Sequence, residues 1–79
     1  MPEGLTVSFR ERESKNIYIF DVLCVSYDSE DRVFSAKVGT IIVNIETDTY
    51  NAHGSLVGNG DEMAKECLVI AKNLSEVYR

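Results

Sequence analysis

Basic residues are scarce in this sequence. Eight Lys and Arg stand against thirteen Asp and Glu, a formal net charge of -5. That balance argues against wrapping a nucleic-acid backbone or lying on an anionic membrane, since both need a cationic surface. Long hydrophobic runs are also missing. Stretches such as Val22-Leu23-Cys24-Val25 and Ile41-Ile42-Val43 fall far short of the roughly 20 apolar residues that cross a bilayer. Met1-Pro2-Glu3-Gly4 has no cationic opening with an apolar run behind it, so a secretory leader is not expected and a cytoplasmic location is. Cysteine is limited to Cys24 and Cys67, widely separated and each among apolar neighbours. In a reducing compartment both are expected as buried free thiols. Neither C-x-x-C nor H-x-x-x-H pairing occurs, so a zinc site built from Cys24, His53 and Cys67 is not expected, nor is any other metal or cofactor. Asn73-Leu74-Ser75 matches a glycosylation triplet, but it lies in a predicted helix of a chain not expected to be secreted.

What is present is the composition of one ordinary globular domain: 79 residues, 44% of them hydrophobic, just above the size at which a single core becomes hard to sustain. Leu5, Val7 and Phe9 alternate with Thr6, Ser8 and Arg10, the period of a half-buried strand. The charged run Arg10–Asn16 reads as a hairpin loop. Ile17–Tyr27 is rich in aromatic and β-branched residues and apolar on both faces. Tyr18, Phe20, Val22 and Cys24 share one face; Ile17, Ile19, Leu23, Val25 and Tyr27 share the other, with Asp21 among them. Asp28-Ser29-Glu30-Asp31 reads as a turn. A further strand runs from Arg32 to Ile45, with Phe34, Ala36 and Val38 inward, a bulge or bend at Gly39, and Ile41, Val43 and Ile45 continuing one face. Glu46-Thr47-Asp48 breaks it, and Thr49–His53 is a short returning edge strand.

Gly54, Gly58 and Gly60 then mark a passage into a helix with Asp61 as its N-cap and Glu62 favouring its positive end. Met63, Cys67, Ile70, Ala71, Leu74, Val77 and Tyr78 form one apolar stripe, opposite Lys65, Lys72, Asn73 and Glu76. The fold class that follows is α+β: an antiparallel meander of three to five strands, then one helix packed on one face, as a single domain over 1–79.

The candidate sites follow from this layout. A central strand apolar on both sides needs a second cover, and the one helix supplies only one. Ile17, Ile19, Leu23, Val25 and Tyr27 are therefore the candidate partner-binding face, with a homodimer as the expected use. The acidic turns give an alternative. Asp28, Glu30, Asp31, Glu46 and Asp48 could imitate a nucleic-acid backbone and occupy a basic cleft on another protein, helped by the absence of any Lys or Arg between Val38 and Ala64. These loops lack the ligand spacing of a calcium-binding EF-hand loop. The glycine passage Gly54–Gly60 suggests a phosphate cradle, but it lacks the Lys-Ser/Thr pair, and Asp61 and Glu62 would repel the anion. His53, the only histidine, could act as a base with Asp48 or Asn51, but no nucleophile motif accompanies it. The chain is thus expected to be a non-enzymatic protein-binding module.

The segment Gly58–Tyr78 resembles the ending of small phage and prophage accessory proteins. Val69-Ile70-Ala71 and Val77-Tyr78 match that pattern; Glu66-Cys67 stands where the pattern has Asn-Ala, and its proline is missing. The resemblance implies an accessory or host-takeover protein, a class in which small acidic inhibitors occur. A sheet followed by Gly-Asp and a helix is also similar to HicB-type antitoxin domains, without their acidic-aromatic start.

Overall fold

The computed structural model describes residues 4–54 and 60–77. Four strands, β1 (Gly4–Arg12), β2 (Ile17–Tyr27), β3 (Val33–Asn44) and β4 (Thr49–Gly54), precede one helix, α1 (Gly60–Val77). The strands pair antiparallel in the order β1-β2-β3-β4. The architecture is therefore the α+β meander with a C-terminal helix that the alternation predicts, and Thr49–His53 is a strand that extends through Gly54.

Several local features depart from the sequence expectation. The charged run after Phe9 is not all loop: β1 continues to Arg12, because a bulge between Phe9 and Glu11 absorbs Arg10 and keeps Glu11 and Arg12 paired with Ile19 and Tyr18. The Arg12 guanidinium lies 5.8 Å from the centre of the Tyr18 ring, so this charge rests on an aromatic face. The helix starts at Gly60, which places Asp61 with Glu62 inside the first turn. Asp61 then acts through its charge at the positive end of the dipole rather than as the cap.

The apolar stripe is another. Met63, Ala64, Cys67 and Ala71 are buried, with Leu68 and Leu74 partly so, whereas Ile70 is 36% and Val77 78% exposed. The stripe is thus centred on small residues, which let the helix axis approach the sheet closely, and Ile70 and Val77 lie off its edge. Tyr78 falls outside the described residues, as do Gly58 and the rest of residues 55–59 in the glycine passage.

The core lies between this helix face and Tyr18, Phe20 and Val22 of β2 with Ile41 and Val43 of β3. Phe9 adds an edge-on ring contact to Phe20 at 5.7 Å between centroids. The bulge expected at Gly39 is found there: Val22 pairs with Gly39 but Leu23 with Lys37, so Val38 is the extra residue. Beyond it, β3 runs past the end of β4, whose pairing stops at Gly39. Phe34 and Ala36 share the helix side of the sheet as expected, yet both are exposed, Phe34 by 53%, because the helix packs on the β3–β4 region farther along.

The turn at Asp28 is built as its residues predict. Asp28 Oδ1 accepts the backbone N–H groups of Glu30 at 2.8 Å and Arg32 at 2.9 Å, and Oδ2 accepts from Arg32 Nε at 2.6 Å. Chiefly the Arg32 backbone amide, then the Glu30 amide and the Arg32 side chain, hold the carboxyl below its usual 3.8 against some desolvation. A lowered folded value means that the turn's stabilisation is complete above the unfolded pKa and fades as pH falls through the folded one. Asp28→Asn is accordingly expected to melt below the parent at neutral pH, with the gap closing in acid below about pH 4. Thermal melts of both proteins across that range check this; a gap independent of pH would contradict it.

Both cysteines are free thiols. Cys67 is fully buried, whereas Cys24, expected in the core, is only partly buried, since it lies toward the overhanging end of β2. Burial, with a smaller contribution from the Glu66 charge, pushes the Cys67 thiol up to about 11. In the native protein a thiol reagent should modify Cys24 promptly and Cys67 only at the rate of global unfolding. Mass spectrometry after a short pulse reads this directly, and rapid double labelling would refute it.

Candidate binding face of the sheet

The side of the sheet opposite the helix follows from the register. Pairing places Ile17, Ile19, Asp21, Leu23, Val25 and Tyr27 of β2 beside Asn44, Ile42, Thr40, Lys37, Ser35 and Val33 of β3. Toward the edges lie Thr6, Ser8 and Glu11 on β1 and Thr49, Asn51 and His53 on β4. All five residues of the candidate partner face are therefore on one surface. Among the described residues, nothing packs over it. Ile17, Ile19, Leu23 and Val25 are half-buried by their strand neighbours alone, while Tyr27 is 38% and Val33 62% exposed.

Two features of this face are not legible along the chain. Ile42 of β3 joins the stripe next to Ile19. Asp21, in the middle of the stripe, is flanked by Lys37 Nζ at 3.2 Å and Arg10 Nη1 at 3.9 Å from its Oδ1. That oxygen is shielded from solvent and neither cation is aligned to hydrogen-bond it, so the attraction is Coulombic and the acceptor capacity is unused. With Glu11 the face holds two anions and two cations. It is charge-balanced on a protein that carries -5 overall.

The acidic residues of the alternative reading occupy the turns, away from one another in two groups. Asp28 and Glu30 both meet Arg32, Glu30 at 3.5 Å; Asp31 holds a left-handed φ of 61° in the same turn. In the β3–β4 turn, Asn16 Nδ2 donates to Glu46 at 2.6 Å and Lys72 Nζ meets Asp48 at 2.6 Å. These carboxylates fasten turns and tie the helix to the β3–β4 connection. His53 is exposed on the open side of β4, opposite Thr40. Cys24 is on the helix side and Cys67 beneath the helix, so the sheet separates His53 from both thiols. Among the described residues no three His, Cys, Asp or Glu side chains are placed to share a metal ion, and no helix is long and apolar enough to cross a membrane. No family model, curated protein or solved structure matches the chain.

Proposed function

We propose that this protein is a small non-enzymatic binding module that associates with a second copy of itself through the open face of its sheet. The observation that carries the reading is the stripe Ile17, Ile19, Leu23, Val25 and Ile42, which no described element covers. Four strands about 4.8 Å apart and about 30 Å long present roughly 500–600 Å² per copy. Two copies together reach roughly 1,100 Å², just under the standard specific interface and in the range of weak, reversible association. Sheets packed in this way sit about 10 Å apart with apolar side chains interdigitated.

Charge favours the same occupant. Two copies at -5 each repel, and the balanced face is where they meet without bringing like charges together. In the contact the Arg10–Asp21–Lys37 group of each copy is desolvated with both cations still beside the carboxylate. The acidic-decoy alternative draws less support, because four of its five carboxylates already hold partners within the chain. Sedimentation equilibrium from sub-micromolar to high-micromolar protein tests the proposal. Reversible association that persists in high salt supports it, and a strict monomer at every concentration overturns it.

A further inference from the structure

β1 forms one edge of the sheet. Its first six residues, Gly4-Leu5-Thr6-Val7-Ser8-Phe9, alternate between apolar and small polar side chains and carry no charge. An open strand edge is a template for further pairing, and proteins blunt it with charges, proline or bulges. β1 uses those devices only beyond Phe9, where Arg10 is bulged and Glu11 and Arg12 are charged. On the other edge β4 is likewise six residues without charged side chain, proline or bulge, but it offers only Tyr50 and Ala52 as apolar residues, and the overhanging part of β3 carries Lys37 and the Val38 bulge. Gly4–Phe9 lacks every such device and carries three large apolar side chains, Leu5, Val7 and Phe9.

We infer that this edge pairs with the same edge of a second copy, antiparallel, about a twofold axis at Val7. Strand periodicity restricts the axis to Thr6, Val7 or Ser8, and of these only the Val7 axis pairs all three of Leu5, Val7 and Phe9 with apolar partners. That axis sets Val7 opposite Val7 of the second copy, Leu5 opposite its Phe9, and Thr6 opposite its Ser8. Apolar residues then meet on the helix side and hydroxyls on the open side. Moving the partner by one residue would put Val7 opposite a threonine or serine and send the apolar set of the two copies to opposite faces. Phe9, 37% exposed beside half-buried Leu5 and Val7, gains a leucine neighbour across the join. Charge agrees as well, since two acidic molecules are joined through a segment with no ionisable side chain. The edge contact uses a different surface from the face contact, so one copy can make both at once.

The test is disulfide trapping in a Cys24→Ala background, which leaves only the buried Cys67. Val7→Cys is expected to cross-link under mild oxidation, because directly opposed Cβ atoms in an antiparallel pair lie about 4.5–5.5 Å apart, within reach of a disulfide after small adjustment. Phe9→Cys is expected to stay uncross-linked, its equivalents being roughly 13 Å apart along the join. Efficient trapping of Val7→Cys alone supports the proposal. No trapping of Val7→Cys, as when the edge serves a strand from another protein, or equal trapping of both variants, overturns it. Repeating Val7→Cys with Leu23→Asp separates the two contacts: trapping that survives supports an independent edge pairing whatever becomes of the face, and trapping that vanishes overturns it.

Discussion

Gly54→Ala is expected to destabilise the fold by about 2–4 kcal/mol, from a left-handed backbone and a steric clash acting together. Gly54 ends β4 with φ +104° and pairs with Gly39 across the strand. A Cβ there would lie 2.4 Å from the Val38 carbonyl oxygen and 2.6 Å from the Gly39 Cα. Both are backbone atoms, so no side chain can swing aside. The Val38 bulge and the Gly39–Gly54 pair meet at this point, and hydrogen at the Gly54 α-carbon allows the approach. In a domain of this size each kcal/mol moves Tm by roughly 4–8 °C, so a loss of about 8–32 °C is expected in a thermal melt. Gly4→Ala is the matched control. No atom lies within 4 Å of the position its Cβ would take, and its Tm should stay close to that of the parent. Similar melting of the two variants would show that the Val38–Gly54 approach is not under this steric control.

How much of this could be read along the chain follows from which features are local. Alternation in Leu5–Phe9 and Ile17–Tyr27 reports strands directly, since each residue's face depends only on its own position. The two-sided character of β2 is legible for the same reason, and with it the five residues of the open face. Asn44 and Asp28 act within four residues of themselves, so the turns were legible too. Register is another matter. Ile42 joins the stripe, and Arg10 and Lys37 converge on Asp21, only because bulges at Arg10 and Val38 shift both neighbours of β2 by one residue. Gly39 marks one bulge in the sequence, and nothing local marks the other. On the helix the deciding variable is side-chain size. Hydrophobicity ranks Ile70 and Val77 above Ala64, but close packing on a sheet selects the small side chains, and the larger ones end up at the margin.

Leu23→Asp is expected to weaken association through the open face by a factor of about 100 to 10,000 while leaving the protomer folded. Within one copy the cost is modest. Leu23 is only half-buried, a carboxylate at its place would stand beside Lys37, its partner across the strands, and exchanges on a solvated sheet face span about 1 kcal/mol. In the assembled face the same carboxylate is removed from water, and the twofold places one on each side. A buried charge lacking a full partner costs about 3–5 kcal/mol. The neighbouring Lys37 already serves Asp21 at 3.2 Å, so it can compensate only part of that. Leu23→Met, which keeps volume and apolar character, should associate nearly as the parent does. Salt distinguishes the contact from one made by the acidic turns. An apolar face keeps or gains affinity as salt rises, whereas attraction between exposed charges is screened within a Debye length of about 8 Å at physiological ionic strength. Sedimentation of the parent, Leu23→Asp and Leu23→Met at low and high salt therefore reads the mechanism as well as the contact. Equal association of Leu23→Asp and the parent would remove this face from the interface, and a complex dispersed by salt alone would transfer the role to Asp28, Glu30, Asp31, Glu46 and Asp48.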